Sequence, residues 1–334
     1  MNNLISKIIF IYKIIFQTKY IFKKPKRANI LIYDDESIEE LNFYLKNKKY
    51  EIFHTRYEKI YIYIFLVSIL RNGIKNLRQN YKINYFKMVS PKVVITLIDE
   101  NPGFFKLKNI FPSAKYISIQ LGLKGKIFYN YIQNYKKKHK GYKFVSDISF
   151  VLGQNDKDRN AKYIESKFIS LGSIKNNSFP IKENYKKKIK KILFISNSPV
   201  LKGKENNLSD KEKILYLDKI KRNVRHAKIF KHLEAYCEKK NIELHFLSKR
   251  TEDFLPMYKK IHGDGNWHFI PRTKTKNTYK RINEAQFVVF ENSTLGYEAL
   301  SKKIKGVCFP QEFPYKGSSK KYAKEGLFWS TSVE

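Results

Sequence analysis

Short β-branched apolar runs alternate with longer stretches of helical spacing, and the alternation runs through the chain twice. After Pro25, "ANILIYD" (28–34) predicts a strand ending in Asp34-Asp35. "SIEELNFYLKN" (37–47) follows with helical spacing, and Ser37 and Glu40 stand at the distance of a capping box. "YEIFHTR" (50–56) predicts a second strand, and "IYIYIFLVSILRNG" (60–73) a buried helix or strand stopped by Gly73. "KVVITLIDE" (92–100) reads as a buried parallel strand. "KYISIQLG" (115–122), "KFVSDISFVLG" (144–153) and "SKFISLGS" (166–173) complete a first half. The polar, basic segment 174–191, with Pro180, predicts a linker. The pattern then restarts. Strands are expected at 191–199, 242–250, 267–272, 286–291 and 305–310. Helices are expected at 209–240, at 251–262 with a kink at Pro256, at 277–285 and at 295–303. The fold class is therefore α/β, with two Rossmann-like domains facing a cleft, at 28–180 and 181–334, behind an N-terminal segment 1–27. Such pairs take ligands at the carboxyl ends of their strands.

Composition changes this picture in three places. The two cysteines, Cys237 and Cys308, are too few for a disulfide framework or a zinc site, which fits a reducing cytosol. The net charge of +37 invites a phosphate-rich partner. Yet lysine dominates over arginine, Lys, Asn, Ile, Tyr and Phe all belong to AT-rich codons, and no nucleic-acid motif appears, so no specific nucleic acid is expected. The N-terminal "ISKIIFIYKIIFQTKYIFKKPKR" is apolar, aromatic and basic, and Lys7, Lys13 and Lys19 keep it below the ~20 residues of a membrane span. It fits either an anionic membrane surface or a helix packed on the neighbouring domain.

The chemistry concentrates at "VVFENSTLGYEAL" (288–300), where an apolar run stops at Glu291-Asn292-Ser293-Thr294 and a helix begins. Helix N-termini leave N–H groups unpaired and carry partial positive charge, so a phosphate fits there beside Ser and Thr hydroxyls. Gly296 permits a close backbone approach. Glu298 lies one turn beyond Thr294 on the same face, where its carboxylate can accept from two ribose hydroxyls. The competing reading is an ordinary N-cap, for which Asn, Ser and Thr are preferred. The residues alone leave both open.

"STLGYEALSKKIKGVCFP" resembles the nucleotide-sugar corner of GT-B glycosyltransferases, in which a Ser/Thr pair meets the diphosphate and a Glu the ribose. "ITLIDENPGFFKL" (95–107), "YISIQLG" (116–122), "FISLGSIKNN" (168–177), "KILFISNS" (191–198) and "GLFWS" (326–330) resemble, in order and spacing, a group of bacterial surface carbohydrate biosynthesis proteins of GT-B-like glycosyltransferase type. That group carries Asn where this chain has Leu121, and the final helix that GT-B proteins run after "GLFW" is expected to be missing here. The resemblance implies a glycosyltransferase with an N-terminal acceptor domain and a C-terminal nucleotide-sugar domain. It would move a sugar from a nucleotide-sugar donor to a polysaccharide or lipopolysaccharide precursor, a glycan or lipid-linked acceptor. The place implied is the cytoplasm, peripheral on the inner face of a bacterial membrane.

Under that reading Asn292, Ser293, Thr294, Gly296 and Glu298 hold the donor, and Arg250 and Arg272, each at a strand end, clamp the diphosphate. An inverting transfer needs a base for the acceptor hydroxyl, and Asp99, with Glu100 behind it, is the candidate. The competing role for Asp99 or Asn101 is to cap a helix starting at Pro102. Asp34-Asp35 and His54 are further strand-end candidates, and Phe328-Trp329 is either a sugar platform or a core anchor. The seven histidines show no metal spacing, so no essential metal and no cofactor are expected. Three rivals share the architecture: a sugar-nucleotide epimerase, a CDP-glycerol-type transferase, and a non-catalytic GT-B-like protein that binds nucleotide or membrane.

Overall fold

The computed structural model describes residues 16–56, 58–73, 76–124, 126–180, 188–197, 210–271, 275–291, 293–309 and 328–329. The chain divides into two compact units, Met1–Asn177 and Ser178–Glu334, and each is α/β around a six-stranded parallel sheet.

The first unit runs β1 (Lys19–Ile21), β2 (Ile30–Tyr33), β3 (Tyr50–Phe53), β4 (Lys59–Tyr61), α1 (Ile62–Asn72), α2 (Leu77–Val89), β5 (Val93–Thr96), α3 (Pro102–Phe105), β6 (Lys115–Ile119), α4 (Lys126–Lys138), β7 (Val145–Val151), α5 (Gln154–Ala161) and β8 (Glu165–Ser170). Its sheet has the order β3-β2-β5-β6-β7-β8, and β1 pairs with β4 in a separate two-stranded ladder. Side chains alternate between the two faces, as the pleat requires. Leu31, Tyr33, Val94 and Tyr116 face an aromatic core with Tyr85 and Phe86 of α2 and Phe128 of α4. Ile32 and Ile119 face a smaller core with Leu41, Leu45 and Ile174.

Three local expectations change. In the N-terminal segment Phe16 and Gln17 are helical and Lys19–Ile21 form the strand β1, and residues 1–15 lie outside the described residues. Ser37 forms no capping box. It sits at φ 63°, outside the extended conformation an N-cap needs, and its side chain makes no capping bond. The Glu36 N–H is instead taken by Asp34 Oδ1 at 3.1 Å, and the expected helix forms as a 3-10 turn, Ile38–Leu41, that runs on into an α-turn, Asn42–Leu45. In "IYIYIFLVSILRNG" the chain is first strand β4 and then helix α1, closed by Gly73 at φ 64°.

The second unit runs β9 (Lys191–Ile195), α6 (Asp210–Lys240), β10 (Glu243–Leu247), α7 (Leu255–His262), β11 (His268–Ile270), α8 (Thr275–Glu284), β12 (Phe287–Phe290), α9 (Thr294–Ser301), β13 (Lys305–Cys308) and β14 (Phe328–Trp329). The sheet order is β11-β10-β9-β12-β13-β14. Counted from the unit's first strand this is three-two-one-four-five-six, the order of a doubly wound dinucleotide-type fold. The order reverses beside β9, so β9 and β12 flank the point where such sheets open a crevice. Leu193, Ile195, Val288 and Phe290 pack on α8 and α9, whereas Ile192, Phe194, Phe246 and Val289 pack on α6 and α7. Pro256 lies in the first turn of α7, where no backbone N–H is needed, and so starts the helix rather than kinking it.

Candidate functional site

The carboxyl edge of the first sheet gathers Asp99, Gln120, Lys124, Asp156 and Asn160. Asp99 follows β5 and is buried. It does not cap α3. That role belongs to Asn101, whose Oδ1 accepts from the Gly103 N–H at 2.9 Å. Asn101→Ala should therefore cost about 1 kcal/mol of stability, read as a lowered melting temperature.

Asp99, free of the helix end, pairs with the buried Lys124 at 2.7 Å. Lys124 also donates to Asn160 Oδ1 at 3.1 Å. Burial pushes the Asp99 carboxyl up to about 6, against the opposing pull of Lys124. Gln120 Nε2 bonds Asp156 Oδ1 at 3.0 Å, and burial raises Asp156 as well. Glu100, the next residue, is exposed, and its charge adds to the rise at Asp99.

The other strand-end candidates of this unit lie at β2 and β3. Asp34 is buried at φ 84° and is held by Thr55, by the Glu36 N–H and by Arg56 at 2.9 Å. His54 Nδ1 lies 3.2 Å from Asp35, and burial lowers the imidazole pKa.

In the second unit the corner after β12 forms as a strand-to-helix turn. Ser293 is the N-cap residue of α9 by position, with φ −109° and ψ 123°, and it is 1% exposed. Its backbone carbonyl accepts from the N–H groups of Gly296 at 3.0 Å and Tyr297 at 3.2 Å, but its side chain makes no capping bond. Thr294 opens the helix. Gly296 faces the ring of Phe290, where an added Cβ would lie within 2.6 Å of three ring atoms. Its lack of a side chain is thus required by packing between α9 and β12. Glu298 is buried, and its Oε2 accepts from the hydroxyl of Tyr279 on α8 at 2.6 Å. Lys302, bonded to the Phe179 carbonyl at 2.7 Å, supplies a nearby positive charge.

Ser293, Thr294, Gly296 and Glu298 thus share one helix start. Arg250 does not join them: it follows β10, exposed, with β9 between its strand and β12. Its N–H bonds Ser248 Oγ at 2.8 Å, and its guanidinium stands 5.7 Å from the Phe254 ring centre. Asn292 and Arg272 lie outside the described residues.

Several polar residues of this edge escaped the sequence reading. Glu291, the residue before the corner, is buried against His226 of α6, with Arg225 at 3.6 Å. The signal was available in α6. Its inward positions Asn223, His226, Phe230, Leu233 and Cys237 recur at spacings of three and four, and two of them are polar. Lys124 and Asn160 carried no such signal.

On the opposite face of the sheet, α6, β12 and β13 line an apolar cavity of about 270 Å³ that includes Leu233, Phe287 and Val307. It offers few polar groups to orient a ligand, unlike the corner. Among the described residues, no helix is long and apolar enough to cross a membrane.

A family model described as "putative O-antigen biosynthesis protein" matches residues 117–334. Among solved structures, MurG of Acinetobacter baumannii is similar at 10% identity, over 90% of this chain and 83% of that one, with a TM-score of 0.42. MnaA of S. aureus, in a co-structure with UDP, is similar at 14% identity over 86% and 80%, with a TM-score of 0.49. TarM of S. aureus, in complex with fondaparinux, alpha-GlcNAc-glycerol and UDP, is similar at 14% identity over 70% and 45%, with a TM-score of 0.40. No curated protein matches the sequence.

Proposed function

The chain belongs to the family of O-antigen biosynthesis proteins, and from that premise we propose that it is a GT-B-like glycosyltransferase acting on a surface polysaccharide or lipopolysaccharide precursor. The observation that carries the reading is the state of Ser293. A serine buried at a helix N-cap normally satisfies that helix with its hydroxyl. Here the hydroxyl leaves the helix end alone, beside the strand where the sheet order reverses. Hydroxyls and N–H groups at such a point suit the phosphates of a nucleotide-sugar donor.

Ser293 and Thr294 hold the diphosphate in this reading, with no metal needed to neutralise it, and Glu298, steadied by Tyr279, accepts from the ribose. Asp99 takes the proton of the acceptor hydroxyl. Its carboxyl, raised to about 6, is a stronger base than an ordinary aspartate and is still largely ionised at neutral pH. A second reading is a nucleotide-binding protein without turnover, favoured by the burial of Asp99 in its pair with Lys124.

A thermal-shift series on the full chain with UDP, GDP, CDP, CMP and ADP tests the donor site. One nucleotide should raise the melting temperature, since ligand at a hundred times its dissociation constant adds about 2.7 kcal/mol. Thr294→Val and Glu298→Gln should abolish the shift. The same flat response to all five nucleotides in the wild type would sink the donor reading. Sugar transfer that is lost in Asp99→Asn, with nucleotide binding retained, separates the transferase from the non-catalytic reading.

A further inference from the structure

A second set of charged groups stands at the carboxyl edge of the second sheet, on the other side of β9 from the corner. Asn197 lies two residues past the end of β9. Lys249, from the exit of β10, donates from Nζ to Asn197 Oδ1 at 2.7 Å. Arg222, from α6, reaches the Asn197 backbone carbonyl from Nη2 at 3.4 Å. A lysine and an arginine from separate elements therefore converge on one residue of the central strand's exit. Arg250 follows Lys249 directly. Lys249 is exposed, yet partial desolvation of its ammonium, and then the neighbouring Arg222 and Arg250, push its pKa down.

Like charges a few ångströms apart repel by roughly 2–4 kcal/mol per pair at an effective dielectric near 20. An anion between them turns that repulsion into attraction. One turn further along α6, Arg225 and His226 are fixed by the buried Glu291 at the exit of β12. That tie sets the rotation of α6, and with it the side on which Arg222 stands. The helix is thus fastened to one side of β9 and turns a cation to the other.

We propose that Asn197, Arg222 and Lys249 form an anion site for a diphosphate group, with Arg250 at its rim and the His226–Glu291 pair holding α6 in register. A guanidinium offers paired donors that match phosphate oxygens, and the lysine adds a point charge. Asn197 is both the tether for the cations and a further amide donor. The inference extends the nucleotide-sugar reading, which puts the donor at the neighbouring corner after β12. It adds residues that neither the corner motif nor the pair Arg250 and Arg272 includes.

Isothermal titration of the full chain with inorganic pyrophosphate, and separately with the five nucleotides, tests it. Wild type should bind one pyrophosphate saturably, and Lys249→Met and Arg222→Gln should each weaken that binding roughly tenfold to a hundredfold. Lys143→Met, which removes an exposed charge in the first unit, should change nothing. Equal pyrophosphate affinity in wild type and Lys249→Met overturns the site, as does no binding at all. An equal loss in Lys143→Met also overturns it, because the protein's high net charge would then be the cause. If a nucleotide binds and depends on Glu298 but on neither Lys249 nor Arg222, the anion site falls and the donor corner stands. If pyrophosphate binding depends on Lys249 and Arg222 while no nucleotide binds, the anion site stands and the donor reading falls.

Discussion

Lys124→Met is expected to destabilise the first unit by about 3–5 kcal/mol near pH 8, because it leaves the buried Asp99 carboxylate without its counter-charge. For a unit of this size the loss corresponds to a drop in its melting temperature of roughly 10 °C, measurable by calorimetry. The effect carries a pH signature. Asp99 titrates at about 6 in the folded protein against an ordinary value of 3.8. The folded state therefore takes up a proton before the unfolded state does as pH falls. The contribution of Asp99 is most favourable below about pH 4 and declines as pH rises through 6, by about 3 kcal/mol in all. Removing Lys124 raises the folded pKa further, so the variant's deficit should be largest above pH 6 and should shrink toward pH 5. The double variant Asp99→Asn/Lys124→Met should recover most of the stability, since neither side chain then carries a charge. A deficit that is the same at pH 5 and pH 8 would mean that Lys124 contributes packing and no charge compensation.

Gly296→Ala should destabilise the second unit although it replaces the poorest helix former except proline with the best. The gain in helix propensity is about 1 kcal/mol. Against it stands an added Cβ within 2.6 Å of three atoms of the Phe290 ring, which is 1% exposed and cannot retreat into solvent. Overpacking of this kind costs about 1–3 kcal/mol, and Gly296→Val should cost more still. The second change that tests the cause is Phe290→Leu. In the combined variant the penalties should be less than additive, because the smaller side chain makes room. Gly296→Ala that melts like the wild type but no longer responds to nucleotide would assign the glycine to ligand approach instead. The two results point to different neighbours, so a melting curve with and without nucleotide separates them.

How far the sequence reached can be judged from particular elements. The β-branched runs at 92–100, 191–199 and 286–291 became β5, β9 and β12, and Gly73 stopped α1 at positive φ, since these follow from local sterics and from burial on both faces of a parallel sheet. The strand-to-helix corner was also legible, because the apolar run stops at Glu291 and Ser and Thr favour a helix start. The sequence could not say whether Ser293 spends its hydroxyl on its own helix, since that depends on a few tenths of an ångström in the turn. It also could not place the corner beside β9, because strand order is set by crossovers and not by neighbours in the chain.

The charged partnerships lay further out of reach. Lys124 belongs to the exit of β6 and Asp99 to that of β5, and they meet only because the two strands pair in a fixed register. His226 and Glu291 are separated by 65 residues and meet only when α6 packs across the sheet. Ser37 had the spacing of a cap but stands at positive φ without a capping bond, while Asp34 takes the Glu36 N–H and is itself held by Thr55 and Arg56 just beyond β3. The sequence by itself determined which segments become strands or helices and which residue types end them, because propensity and periodicity act within a turn or two. Only the tertiary structure decided which of those ends stand together, because Coulomb and hydrogen-bond partners are chosen by distance in space.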